Sequence, residues 1–191
     1  LMSPLLMLMA NDYPKAHIDI SRGSTTLLVQ ALRDRLLDAL ILDIRSLQPS
    51  ADLKVDAIHE MAGAFMCRPD HPLAKKRSVS FSMLRDYPVA STPLSDEVAR
   101  ILVERFGPKA HPDQLVNLRS EEISSLLDVV RKSNAVLLAI RASAPDLVEL
   151  PLSPPMNAKA RFGLVTIASR TEPLLMEKVR ALMAQELAEN A

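Results

Sequence analysis

Residues Ala64 to Ala74 read Ala-Phe-Met-Cys-Arg-Pro-Asp-His-Pro-Leu-Ala. The first four are apolar and uninterrupted, which is the length and composition of a buried strand. Two prolines, Pro69 and Pro72, then stop it. Pro72 has no backbone donor and keeps His71 out of the helical region, so the chain leaves Cys67 extended and neither continues a sheet nor starts a helix. A polar, basic segment, Lys75-Lys76-Arg77-Ser78, comes before the next apolar pattern. The whole reads as a crossing between two lobes. A second crossing is written in Pro151-Leu152-Ser153-Pro154-Pro155-Met156-Asn157-Ala158-Lys159, where three of nine residues are proline and the chain is stiff and extended. Two crossings imply one inserted lobe. Residues 74–156 form one subdomain, and residues 1–73 and 157–191 close together into the other.

Outward from these crossings the chain alternates strands and helices. Met2, Leu5, Leu6 and Met9 follow helical spacing, so the apolar start is a helix, either buried or covered by a partner. It is too short for a membrane span and lacks the basic leader of a signal peptide. His17 to Ser21 alternates as a short strand and ends in Arg22-Gly23-Ser24-Thr25-Thr26, before a helix carrying Leu28, Ala31, Leu32 and Leu36. A strand, a hydroxyl-rich turn and a helix aim free N–H groups at one point, which suits a small anion. The plainer reading, which the residues alone favour, is that Ser24 or Thr25 caps the helix. Ala39 to Ile44 fits a central parallel strand, and residues 46–57 a surface connection.

In the inserted lobe, Ser80 to Leu84 is a short helix and Tyr87 to Ala90 a strand. Ser91-Thr92-Pro93-Leu94-Ser95-Asp96 introduces a helix carrying Val98, Ile101, Leu102 and Phe106, ended by Gly107-Pro108. Leu115 to Arg119 is the next strand, and Ser120 is placed as the cap of a helix carrying Ile123, Leu126, Leu127 and Val130. Ser133-Asn134-Ala135 then precedes the strand Val136 to Ile140. After the proline crossing, Phe162 to Ser169 returns as a strand, and Pro173 opens a last helix with Leu175, Val179, Leu182, Met183 and Leu187 on its core face.

Arg68-Pro69-Asp70-His71-Pro72-Leu73-Ala74 after a strand resembles the effector-binding domain of LysR-type transcriptional regulators. Tyr13-Pro14, Ile18-Asp19-Ile20, Leu37-Asp38-Ala39-Leu40-Ile41 and Leu84-Arg85-Asp86-Tyr87-Pro88 match the same family in order and spacing. The resemblance implies an α/β fold of two Rossmann-like subdomains joined by two crossover segments, similar to type 2 periplasmic binding proteins, with the N-terminal winged helix-turn-helix absent from this chain. It implies a small-molecule effector, often a carboxylate, held in a cleft between the lobes, and a cytoplasmic homodimer or homotetramer. It places Ser24, Thr25, Cys67, Ser91, Thr92, Ser120 and Asn134 as effector-binding candidates, although Cys67 by itself reads as buried packing. Two departures matter. Arg35-Leu36 stands where the family often has glycine, so the preceding helix is expected to run on. Ser133 and Ala135 replace the glycines of a turn, so Asn134 is expected to adopt the left-handed conformation.

Composition excludes other classes. Lysine plus arginine and aspartate plus glutamate both number 23, so no overall basic field attracts nucleic acid, and DNA is to be reached only through the missing N-terminal domain. One cysteine precludes an internal disulfide, and four scattered histidines show no metal spacing. With four glycines and no P-loop, dinucleotide or nucleophile-elbow motif, neither a cofactor nor catalysis is expected. The alternative reading is a periplasmic solute-binding protein of a transporter, which shares the fold but would carry an export signal. A stand-alone α/β enzyme is a third.

Overall fold

The computed structural model describes residues 1–187. In chain order the elements are α1 (Met2–Asp12), α2 (Thr25–Arg33), β1 (Leu40–Asp43), β2 (Leu53–Cys67), α3 (Phe81–Leu84), β3 (Val89–Ser91), α4 (Asp96–Phe106), α5 (Pro112–Leu115), β4 (Val116–Arg119), α6 (Ile123–Lys132), β5 (Val136–Ile140), β6 (Val148–Glu149), β7 (Lys159–Ile167) and α7 (Met176–Glu186). They divide into two compact units, residues 1–60 with 161–191 and residues 61–160. The chain passes between them within β2 and close to the start of β7. The expected boundaries at 73/74 and 156/157 therefore both fall inside the second unit. The reason lies in pairing: Gly63 to Met66 form a ladder with β5, and Met66 and Cys67 with β6, so the apolar end of β2 belongs to the sheet of the inserted unit. The His71–Pro72 segment is a turn of that unit.

In the first unit, β1 pairs antiparallel with β7, Leu40 opposite Val165 and Asp43 opposite Phe162. This corrects the parallel strand expected at 39–44. Alternation along the strands sorts the side chains to two faces. Leu40, Leu42 and Val165 pack with Leu32 of α2, while Ile41 and Leu164 meet Val179 and Met183 of α7 and Leu5 of α1. Residues 46–57 are not all connection, because β2 begins at Leu53 and its Leu53 and Val55 join the α2 cluster. His17 to Ser21 forms no strand, and Ile18 is 37% exposed. The alternation there amounts to two isoleucines and meets no partner strand among the described residues. Arg180 of α7 holds Asp56 of β2 through two contacts of 3.0 and 3.1 Å and also reaches Glu172, tying helix to sheet.

The end of α2 departs from expectation. The helix stops at Arg33, and Arg35 adopts φ 63°. Leu36 N–H donates to Ala31 O at 2.9 Å and Arg35 N–H to Leu32 O at 3.2 Å, the two bonds of a Schellman cap. Arginine thus occupies a left-handed position of the kind glycine favours at a helix end.

In the second unit the strand order is β2–β5–β3–β4, with β6 on the outer side of β2. β3 runs parallel to β4 and β5, and β2 antiparallel to β5. Both faces are covered, which explains the unbroken apolar runs. Phe65, Cys67, Val89, Val136 and Leu138 pack with Leu102 of α4 and Leu84 of α3, whereas Ala64, Met66, Ala90 and Leu137 pack with Leu126 and Val130 of α6. Ser80 and Ser95 cap α3 and α4, accepting from the N–H groups of Met83 and Val98. The last helix begins at Met176, so Pro173 lies in the turn before it rather than in its first turn.

Candidate functional site

The parallel strands of the second unit have a carboxyl edge and an amino edge, and the candidate residues divide between them. Ser91 ends β3 opposite Arg119, the last residue of β4. Thr92 and Ser120 follow directly, so these three stand at the carboxyl edge, where open α/β sheets bind ligands. Gly63 of β2 pairs with Ile140 at that same edge.

The three hydroxyls differ in freedom. Ser91 is fully buried, and its Oγ lies 2.8 Å from Leu138 O and 2.9 Å from Thr92 O, so its single proton is committed to backbone carbonyls. Thr92 is half-buried. Ser120 does not cap α6. Its Oγ accepts from Glu122 N–H at 3.0 Å, and Glu122 itself occupies the cap position. The Glu122 carboxylate accepts from the hydroxyls of Ser124 and Ser125 at 2.9 and 3.1 Å. Asp96 and Glu97 likewise occupy the first turn of α4. Both long helices that start at this edge therefore already carry carboxylates at their positive ends.

Asn134 and Cys67 lie at the opposite, amino edge. Asn134 precedes β5, and the antiparallel register of Met66 with Leu137 brings Cys67 level with the start of β5. Neither can share a contact surface with Thr92 and Ser120 across the length of the strands. Cys67 is 0% exposed, and burial pushes its thiol up to about 11, the opposite of an activated thiolate. Asn134 is not left-handed; the residues other than glycine with positive φ are Arg35, Ala57 and Asn157 among the described residues. The turn is held instead by side chains. Ser133 Oγ accepts from Ala135 N–H at 3.1 Å, Arg68 Nε donates to Ser133 O at 3.0 Å, and Arg68 Nη2 donates to Asn134 Oδ1 at 3.0 Å.

His71 completes this clamp, and sequence reasoning passes over it. It is 2% exposed, its Nδ1 accepts from Leu73 N–H at 3.0 Å, and its Nε2 lies 3.1 Å from Asn134 O. A nitrogen that accepts from an amide carries no proton, so the proton sits on Nε2 and donates to the Asn134 carbonyl. Burial, aided by the nearby Arg68 charge, lowers the pKa of the ring. Tyr87 meets the imidazole edge-on at 4.5 Å. The signal available in the sequence was the His-Pro pair, whose proline was legible as a strand stop while the histidine's two bonds were not.

Ser24 and Thr25 belong to the first unit. Ser24 occupies the cap position of α2, but its side chain makes no cap hydrogen bond, and the first turn of α2 holds no acidic residue. This helix entrance thus keeps unsatisfied N–H groups and an uncomplemented dipole beside the hydroxyls of Ser24, Thr25 and Thr26. Separately, in the second unit, a depression of about 360 Å³ lies between residues 62–65 of β2 and the segment from Glu149 to Lys159. No group of three or more His, Cys, Asp or Glu side chains among the described residues is placed to hold a metal ion, and no helix of the described residues is long and apolar enough to cross a membrane.

Comparison with known proteins agrees with this architecture. A family model described as the LysR substrate binding domain matches residues 1–188. A Synechococcus elongatus protein described as a probable nitrogen assimilation transcriptional activator is 28% identical over 177 residues, 92% of this chain and 53% of the relative. The chain thus spans about half the length of that curated relative. Among solved structures, the Synechocystis CcmR regulatory domain in complex with 2-PG superposes with a TM-score of 0.67 at 14% identity, covering 99% of this chain and 92% of that one. The MetR regulatory domain from N. meningitidis gives 0.66 at 13% identity, covering 97% and 86%. The fold is that of these regulatory domains, the type 2 periplasmic-binding-protein-like α/β fold.

Proposed function

Because the chain belongs to the LysR substrate-binding domain family, we propose that it is the effector-binding and oligomerisation domain of a transcriptional regulator, answering a small molecule and passing the response to a DNA-binding domain outside this chain. The observation that carries this reading is the family match over nearly the whole chain. The transporter alternative rests on the shared fold alone, and the family match does not favour it. The domain is proposed to work by binding, without turnover.

The effector is proposed to be a small carboxylate whose anionic end is received at the start of α2, by Ser24, Thr25 and the N–H groups there. That entrance lacks both a side-chain cap bond and an acidic first turn, whereas the entrances of α4 and α6 already hold Asp96, Glu97 and Glu122. Thr92 and Ser120 are proposed to meet uncharged or cationic polar groups, because an added anion there would face those carboxylates. Ser91 is proposed to act indirectly, by fixing the end of β3. The domain is further proposed to work as a homodimer or homotetramer.

A thermal-melt panel of small carboxylates, amino acids, aromatic acids and sugars tests this, since a ligand that binds only the folded state raises its melting temperature. A concentration-dependent rise with a carboxylate, lost in the Ser24→Ala/Thr25→Ala variant, is expected. A well-folded domain that shifts with no compound class, or a shift indifferent to that variant, would overturn the assignment.

A further inference from the structure

A formal charge of zero conceals a one-sided surface on the second unit. Lys75, Lys76 and Arg77 follow the turn after β2, Arg85 and Lys132 stand shortly before β3 and β5, and Arg105 and Lys109 lie on the way from the end of α4 to β4. All seven are exposed. By the topology all stand at the amino edge, where β3, β4 and β5 begin and β2 ends. The unit's remaining cations have partners among the described residues: Arg100 with Glu104, Arg119 with Asp113, Arg131 with Asp146, Arg141 with Glu149, and Arg68 with the Asn134 turn, while Lys159 is also engaged. Among the described residues, the seven at the amino edge have neither a salt bridge nor a side-chain hydrogen bond. Asp70 and Asp86 are the acids in the same segments that are without a salt bridge.

Helix dipoles explain part of this pattern, since Arg105 and Lys132 close α4 and α6. They do not explain Lys75-Lys76-Arg77, which follows a turn with no helix behind it. From this concentration of unpartnered cations we infer that the amino edge of the second unit is a contact surface for the phosphate backbone of duplex DNA, sequence-independent and separate from the effector site. Folded protein partners bind through apolar or aromatic centres from which lysine is depleted, and this edge offers lysines. Single strands need exposed aromatic platforms, and the aromatic rings at this edge are half-buried, Tyr87 against His71 and Phe106 stacked on Phe81. A spread of exposed cations fits a linear polyanion, bound with release of its counterions.

The test is fluorescence anisotropy of a short labelled duplex with this chain over about 50 to 200 mM salt, where such non-specific contacts give dissociation constants of about 1 to 100 µM. The Lys75→Gln/Lys76→Gln/Arg77→Gln variant is expected to weaken binding and to make the slope of log affinity against log salt shallower by about 2.7, three contacts at about 0.9 each. A Lys15→Gln/Lys178→Gln variant of the first unit should leave the slope in place. These substitutions are exposed, and unchanged circular dichroism spectra keep the comparison valid. Three results would each overturn the proposal: no salt-dependent binding, equal slopes for both variants, or polyglutamate competing as well as unlabelled duplex of equal charge, which would assign the edge to an acidic protein instead. None of them bears on the effector site, whose test is separate.

Discussion

At the scale of single residues, His71 is the side chain whose chemistry is most constrained. Both ring nitrogens are engaged, one as acceptor and one as donor, so a second proton would set an Nδ1–H against the Leu73 N–H. In the unfolded chain a histidine titrates near about 6.5; in the fold its pKa is lowered. Between those values the unfolded state binds more protons, so the contribution of His71 is complete above about pH 6.5 and falls as pH drops below it. Denaturant melts of the wild type and His71→Gln at a series of pH values are expected to show a smaller loss of stability on acidification in the variant; equal losses would remove the clamp from the explanation. Cys67 gives a second check. With its thiol buried and pushed up to about 11, it is expected to resist a thiol reagent in the native protein and to react fully in denaturant. Native labelling at the rate of a free thiol would contradict its burial. Arg35 gives a third. A left-handed non-glycine residue carries about 1–2 kcal/mol of strain, partly offset on substitution by the greater backbone entropy of glycine. Arg35→Gly is thus expected to stabilise the domain by ~1 kcal/mol, read as a higher melting temperature, and a lower one would mean the arginine side chain supplies more than its geometry costs.

At the scale of elements, much was legible and the failures have physical causes. The helices at α1, α4 and α6 and the strands at β3 and β5 stand close to where periodicity places them, because local spacing decides them. Prolines announce where a strand ends, not which sheet it pairs with, so the boundary suggested by Pro69 and Pro72 falls instead within β2. The apolar half of β2 ends at Cys67, two residues before Pro69, yet is already committed to β5. An apolar run reports burial on two faces and is silent about direction, so the run at β1 suits a parallel strand while the fold pairs it antiparallel with β7. The Asn134 turn is not legible locally, because its missing glycines are replaced by side-chain bonds from Arg68 and His71, which lie more than sixty residues away in sequence. Among the candidates, Ser91, Thr92 and Ser120 stand at one sheet edge in the fold, and what the sequence does not show is that Ser91 is already committed or that Asn134 belongs to the other edge. Close packing between elements is testable through the glycines. A Cβ at Gly163 of β7 would lie 2.6 Å from Ile44 Cγ2 and 3.1 Å from Val55 Cγ1, both on branched, stiff side chains. At Gly63 the nearest neighbour is the flexible end of Met156, at 3.1 Å, with the backbone oxygen of Ala158 at 3.3 Å, so the clash is milder than at Gly163. Overpacking costs about 1–3 kcal/mol, so Gly163→Ala is expected near the top of that range and Gly63→Ala near the bottom in chemical melts. The reverse order would show that β7 has slack the structure does not display.

At the scale of the whole molecule, a composition that looks neutral and featureless resolves into separate surfaces. The first unit carries an uncomplemented helix entrance at Ser24 and Thr25. The second carries acids at the carboxyl edge of its strands and unpartnered cations at the amino edge. Averages over the chain hide this, because 23 positive and 23 negative side chains cancel in the sum and not in place. The central claim, that the chain senses a small molecule, is met most directly by a backbone amide NMR titration with the carboxylate giving the largest thermal shift. Saturable shifts at Ser24 to Thr26 are the expected result. A titration in which those amides stay fixed, or in which the saturable shifts gather around Asn134 and Lys75 instead, would contradict it.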